Sequence, residues 1–474
     1  MRSALILMLA MCSAAVGVQS PSAELPSWVG QAGARSTPHR PEVFKVADYG
    51  AVNDGETLAT KGIQAAIDAC AAQGGGIVVF ARGAYLSGSI FVKAGVDLRI
   101  DKDVTILGSQ DLADYPEIDT RVAGIEMRWP AALINVLDQD NVMISGEGTI
   151  HAQGKPFWDK YWTMRRDEYE PKGLRWIVDY DCKRPRTLLV SRSTNVTLRH
   201  LTLKQAGFWT VHILYSQNVT VDGLVIRNNV DGSGPSTDGI DIDSSSFILV
   251  QNCDIDCNDD NFCLKAGRDW DGLRVNRPTE YVVIRDCISR KGGGLVTCGS
   301  ETSGGIRHLI AHNLKAEGTG VGLRFKSAKT RGGTVEDIRF RDIEMNGVGT
   351  VVEVAMDWNP SYSYSSLPEE YDPNTIPAHW KTMLQKVEPP ERGIPEVKDV
   401  YFSNIKVTGG RTAISASGMP EAIVKNFRFQ DVRIETRSAG RIANAQGWRF
   451  ENVSLDTSDG RPVDLRNCTD MNLQ

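Results

Sequence analysis

Hydrophobic and polar positions in the second half of the chain fall into a nine-residue frame, apolar at positions 2, 4, 7 and often 9. The frame starts at Asn195 (NVTLRHLTL) and recurs from Asn218, Phe247, Tyr281, His308, Asp337, Asp399, Asn426 and Gly447. Successive steps are 23, 29, 34, 27, 29, 62, 27 and 21 residues. Positions 2 and 4 alternate as in a strand. The phase then shifts across a bend, where position 6 is Asn or Asp in seven of nine copies, residue types suited to bends. A strand, a bend, a second strand and a loop, repeated every 20–35 residues, predict the coils of an all-β parallel β-helix.

A stack of coils needs a capped end. Ile63, Ala66, Ile67 and Cys70 follow i, i+3, i+4, i+7 and predict an amphipathic N-terminal capping helix, ended by Gly74-Gly75-Gly76 before a strand at Ile77. Two segments, about 151–186 and 356–395, interrupt the coils and carry five of the ten tryptophans: Trp158, Trp162, Trp176, Trp358 and Trp380. Rings on long loops serve either to stack on sugars or to pack the loop down. Ahead of the helix, Arg2 and the apolar run from Ala4 to Val18 predict a signal peptide over residues 1–17. A Ser-, Pro- and Gly-rich flexible lead-in then spans 18–40, and one catalytic β-helix domain spans 41–474. The mature chain is thus expected to be secreted or periplasmic.

The net charge of −6 argues against a nucleic-acid surface, and no later apolar run is long enough to span a membrane. Eight cysteines remain beyond the signal segment, too few for a disulfide scaffold and without C-x-x-C spacing for zinc. Cys253 and Cys287 fall on apolar frame positions, so buried thiols and disulfides both stay open.

Two acidic segments carry the candidate chemistry: Ser236-Thr237-Asp238-Gly239-Ile240-Asp241 and Asn258-Asp259-Asp260-Asn261. Asp238 and Asp259 are 21 residues apart, close to one coil, so they are expected on one face of neighbouring coils. Two coils further on, Arg324 and Lys326 flank Phe325 on a strand, with both cations predicted outward and the ring inward. Clustered carboxyls discourage each other's ionisation, which is what a proton donor beside a base requires in glycoside hydrolysis. The same acids could instead be turn residues or calcium ligands. Lys265, Arg268, Arg274, Arg277 and Lys291 suggest a locally positive cleft for a polyanion.

With these residues in place, the chain resembles the polygalacturonase-type enzymes of glycoside hydrolase family 28, from about residue 43 through the last coils. The likeness rests on Asp48-Tyr49-Gly50-Ala51, Gly74-Gly75-Gly76, the segment 236–241 that matches the family's Asn-Thr-Asp-Gly-Ile-Asp with Ser236 in place of Asn, the Asp-Asp pair at 259–260 and the Arg-x-Lys at 324–326. It implies a right-handed coil, no metal or other cofactor, a pectic poly- or oligosaccharide as partner, a monomer, and single-displacement hydrolysis with inversion. By the same resemblance Asp259 is the general acid, Asp238 and Asp260 activate water, and Arg324 and Lys326 bind a substrate carboxylate. The family's Gly-His-Gly falls on Gly292-Gly293-Gly294, so Gly293 stands where the histidine would. That departure makes the rhamnogalacturonan backbone a candidate substrate beside homogalacturonan. Trp358 is the nearest match to the family's substrate-side tyrosine. A calcium-dependent pectate-lyase-like enzyme and a non-catalytic carbohydrate-binding β-helix are the alternatives.

Overall fold

A computed structural model describes residues 25–472, so the predicted signal segment lies outside the described residues. Thirty strands join into one system in which every named pairing is parallel, the right-handed parallel β-helix expected. Frame residues stack directly on one another. Val196 pairs with Val219, Val219 with Ile248, and Ile248 with Val282. Leu309, Ile338, Val400 and Phe427 continue the same column. All of these are buried, forming a single apolar core that runs the length of the coil. Position 6 of the frame adopts the left-handed conformation in every copy, from His200 (φ 62°) to Asn452 (φ 51°), which explains its Asn and Asp content.

Position 1 is also left-handed, and three bulky residues accept that conformation: Phe247, Tyr281 and His308. Their rings stack at 4.7 and 4.8 Å, and Trp28 closes the column against Tyr281 at 5.6 Å. Ring stacking of this kind is worth about 0.5–1.5 kcal/mol per pair, comparable with the backbone cost. Trp28 belongs to the predicted flexible lead-in, whose described part is instead docked. Gly33 N–H donates to the Phe247 carbonyl at 2.9 Å, and Ala34 N–H to Thr220 Oγ1 at 2.9 Å.

The capping helix spans Thr60–Ala72 and buries Ile63, Ala66, Ile67 and Cys70 over the first coils. Both interruptions are helical and cross the coils' outer face, with Lys155–Thr163 and Val178–Asp181 in the first and Ala378–Met383 in the second. Trp158, Trp176 and Trp380 are buried there, so packing has taken these rings; Trp162 and Trp358 are half-buried. The eight described cysteines are free thiols, seven of them buried. One element is not foreshadowed by the coil frame, an antiparallel hairpin of Glu117–Val122 and Ile125–Pro130 turning at Ala123-Gly124.

Candidate active site

Strands Ile240–Asp243, Phe262–Lys265, Gly294–Cys298 and Val321–Lys326 are consecutive neighbours in one face of the coil. Their alternate residues point into the core, so Ile242, Leu264 and Phe325 are buried in it. The residues between them form an outward column in register: Asp241, Cys263, Thr297, Arg324. Ile240 pairs with Phe262, which sets Asp238 level with Asp260 rather than with Asp259. The 21-residue spacing read from the sequence is therefore one residue short of the true coil step. Asp259 still reaches the cleft, because the turn Asn258–Asn261 carries it there half-buried.

Asp260 is fully buried and surrounded by donors. Its Oδ2 accepts from Lys326 Nζ at 2.8 Å; its Oδ1 accepts from Thr297 Oγ1 at 2.8 Å and Arg324 Nη1 at 3.2 Å. Burial pushes its carboxyl up, but the Lys326 and Arg324 charges outweigh burial and hold it well below the ordinary range. The Asp259 carboxyl accepts only the Asp260 backbone N–H, at 3.0 Å, among the bonds described. Burial first, and the neighbouring Asp260 charge second, raise its carboxyl. Two adjacent residues thus have opposite protonation preferences.

Behind them lies a second acid pair. Asp238 is raised well above its ordinary value, by burial and then by Asp241 and Asp259; Asp241 is raised to about 8, by burial. No donor group outside the pair hydrogen-bonds Asp241, whose bonding neighbour is the Asp238 carboxyl. The Lys265 ammonium stands between them, 3.7 Å from Asp238 Oδ2, 3.6 Å from Asp241 Oδ1 and 3.3 Å from Glu301 Oε2, over the Trp209 ring. Burial pushes Glu301 up, yet Lys265 and Arg331 carry it down to about 2.

All the residues expected at the site come together, with three changes of role. Lys326 projects outward as expected, yet its side chain is 7% exposed and its ammonium is engaged by Asp260 and faces Trp358, 4.5 Å from the ring centre. The charge partner that most lowers Asp260 is thus a residue expected to bind substrate. Second, two of the cations expected in a positive cleft are engaged elsewhere. Arg268 is buried on Tyr180, Tyr362 and Asp269, and Arg274 pairs with Asp271 and Glu126. Lys265, Arg324 and Lys326 are the cations set among Asp238, Asp241, Asp259 and Asp260, and Glu301 also feels Arg331. Third, Gly293 stands directly against the acid pair, with little room even for a methyl group. A Cβ there would lie 3.2 Å from Asp260 Oδ1 and 3.4 Å from Asp259 Oδ1.

Asp238, Asp260 and Cys263 bring ligand atoms within 4.8 Å of one another. The set does not fit calcium, because a thiol is not an oxygen ligand and Lys326 and Arg324 already engage both Asp260 oxygens. Sequence reasoning missed Asp241, Thr297 and Glu301. Asp241 was visible as the end of its motif; Glu301 is joined to Lys265 only across 36 residues of chain.

The profile described as Glycosyl hydrolases family 28 matches residues 75–368. A probable polygalacturonase of Vitis vinifera is 30% identical over 70% of this chain, and the match spans 65% of that relative's own length. An exo-poly-alpha-D-galacturonosidase of Dickeya chrysanthemi is 26% identical over 89% of this chain and 75% of its own. Among solved structures, a hyperthermoactive exopolygalacturonase from Thermotoga maritima superposes with a TM-score of 0.75 at 27% identity, covering 90% of this chain and 94% of that one.

Proposed function

The chain belongs to glycosyl hydrolases family 28, and from that premise we propose that it hydrolyses α-galacturonosyl linkages of pectic polysaccharide by single displacement. The observation that carries the reading is the split of the Asp259-Asp260 pair. Asp260, kept ionised by Lys326, Arg324 and Thr297, takes a proton from the attacking water. The water oxygen bonds to the anomeric carbon from the face opposite the leaving group. Asp259, kept protonated by burial and by its ionised neighbour, gives its proton to the departing glycosidic oxygen. The anomeric configuration inverts, and solvent exchange resets both carboxyls.

Asp238 lies level with Asp260 and is pushed up in concert with Asp241, so this pair holds a proton. Its role is to orient the water beside Asp260, with Lys265 fixing its position. Arg324 keeps 16% of its side chain exposed, more than Lys326, and is the cation offered to a substrate carboxylate. Gly293, which puts no side chain beside the acid pair, supports rhamnogalacturonan as a second substrate. We further read the chain as a monomer exported by the segment at 1–17. Among the described residues no helix is long and apolar enough to cross a membrane.

Reducing ends released from polygalacturonate and from rhamnogalacturonan, with the anomer of the first product read by NMR, test this reading. The expected result is inverted product with no unsaturated uronate and no loss on adding a chelator. Elimination products, or binding without turnover on both polymers, overturn it.

A further inference from the structure

Lys265 stands beside an acid pair that does not hold it. Its ammonium is 3.7 Å from Asp238 Oδ2 and 3.6 Å from Asp241 Oδ1, beyond hydrogen-bond range. Among the described bonds the ammonium donates to one group, Glu301 Oε2 at 3.3 Å. The Trp209 ring, 4.6 Å away, closes another side, and the whole lysine is buried. A carboxylate that the proposed reaction does not use therefore sets where this cation sits.

Glu301 is itself fixed from several sides. It follows strand Gly294–Cys298, whose Thr297 donates to Asp260. Its Oε1 accepts from Ser300 Oγ at 3.1 Å and from the Tyr362 hydroxyl at 3.2 Å. Its backbone carbonyl accepts from the N–H of Ala266, the residue after Lys265, at 2.7 Å. Tyr362 belongs to the second insertion and is held by Arg268. That guanidinium donates to the Tyr362 carbonyl at 2.7 Å and to the Tyr180 hydroxyl of the first insertion at 2.8 Å. Both insertions thus reach the acids through Glu301 and Lys265. Lys265, Arg331, Lys326 and Arg268 keep the Glu301 carboxyl ionised in spite of its burial.

Asp238 and Asp241 are hydrogen-bonded to one another, which two carboxyls can be only with a proton between them. An ammonium in contact favours their ionised form and breaks that bond. Lys265 faces these two acids on one side, Cys263 on its own strand, Glu301 beyond, and it acts on His212 as well. On the cleft side the pair faces Asp259 and Asp260. Burial keeps Cys263 and His212 neutral, so the ionised Glu301 draws the ammonium to itself. We propose that Glu301 is a positioning residue for the hydrolysis: it holds the Lys265 ammonium short of the Asp238–Asp241 pair, so that Asp238 is turned to the attacking water and not to the lysine. This rests on the hydrolase reading above and adds to it a residue that acts through two others without touching substrate.

Glu301→Gln keeps the side chain's shape and removes its charge, so Lys265 turns onto the pair and the shared proton leaves at lower pH. On polygalacturonate kcat should fall roughly tenfold, the worth of a hydrogen bond to a charged group, with KM within about twofold of wild type. In melts without substrate, the drop in melting temperature between about pH 6 and pH 8 should shrink, because Asp241 no longer keeps its proton to the top of that window. A glutamate with only a structural role moves the melt equally across the window, since Glu301 is ionised there in both the folded and the unfolded chain. Tyr362→Phe removes one donor from Oε1 and should show both effects at smaller size. An active wild type whose variants keep the wild-type pH slope overturns the inference alone. A raised KM at wild-type kcat also overturns it, by putting Glu301 on the substrate. If Glu301→Gln does not fold, Tyr362→Phe decides by the same slope and kcat. No turnover by the wild type on any galacturonan overturns the hydrolase reading and the positioning role with it.

Discussion

Lys326 places its ammonium 2.8 Å from Asp260 Oδ2, and the two side chains are almost entirely buried. The pair makes the acid-base asymmetry of the site, because the same lysine that lowers Asp260 leaves Asp259 without a cation in hydrogen-bond contact. Removing one member of a buried pair leaves the other charge uncompensated, at a cost of about 3–5 kcal/mol. Arg324 and Thr297 remain on Asp260, so the lower end of that range applies to Lys326→Ala. Both the melting temperature and kcat/KM should fall. A raised Asp260 carboxyl also moves the acid limb of the pH–rate profile upward, since the base must be ionised to act. A variant whose folded fraction keeps the wild-type acid limb would separate Lys326 from the base.

Asp259→Asn removes the proposed proton donor but keeps the side chain's size and its contact with the Asp260 N–H. General acid catalysis is worth typically about 10²–10⁴-fold, and kcat should fall by that order. The loss should be smallest on substrates with a good leaving group, which need no protonation. Calorimetry should show oligogalacturonate still binding. Near-normal turnover on pectic substrate would remove Asp259 from the acid role.

The coils were legible because burial and backbone strain act on every copy alike. Core columns recur at positions 2, 4 and 7, and the left-handed bend at position 6 selects Asn and Asp. The acids were legible because three of them sit in two short motifs. The hairpin was not. Its strands, Glu117–Val122 and Ile125–Pro130, mix Glu, Asp and Arg among the apolar residues, since one face lies on the coil and the other meets solvent. Nothing local distinguishes that from a polar loop. The true work of Lys265 was equally hidden, because its partners Asp238, Asp241 and Glu301 come from three different segments.

Burial of Asp241 has a consequence for stability. In the folded protein its carboxyl keeps a proton up to about pH 8, whereas the unfolded chain releases it near about pH 3.9. Between those values the folded state binds more protons, so stability falls as pH rises through the window. Asp238 and Asp259, raised as well, act in the same direction. Groups held low, such as Glu301, titrate below this range and do not oppose the trend. The melting temperature should therefore drop between about pH 5 and pH 8, and Asp241→Asn should shrink that drop. An unchanged slope in the variant would mean that Asp241 is ionised throughout, paired with Lys265.

Adjacent glycines at the acid pair should respond in opposite ways. A Cβ on Gly294 would stand 2.5 Å from Thr297 Oγ1 and 2.9 Å from Asp260 Oδ1, so Gly294→Ala must push the threonine hydroxyl off the base. The lost bond is to a charged group, worth about 1.5–3 kcal/mol, or roughly tenfold or more in kcat/KM. Gly293 differs: its Cβ meets the Asp260 and Asp259 oxygens no closer than 3.2 Å, and its φ lies outside the left-handed range. Gly293→Ala should fold normally and keep most of its activity, with a shift of a few tenths of an ångström shared between its own backbone and the two carboxyls. Gly293→His would set an imidazole beside the pair once its neighbours have given way to the Cβ. Below the imidazole's own pKa, its positive charge favours ionised Asp259 and should pull the alkaline limb of the profile down. Melts and pH–rate profiles on the three variants check the set. Full activity in Gly294→Ala beside an inactive, folded Gly293→Ala would place the working carboxyl on the Asp259 side and reverse the assignment of the base.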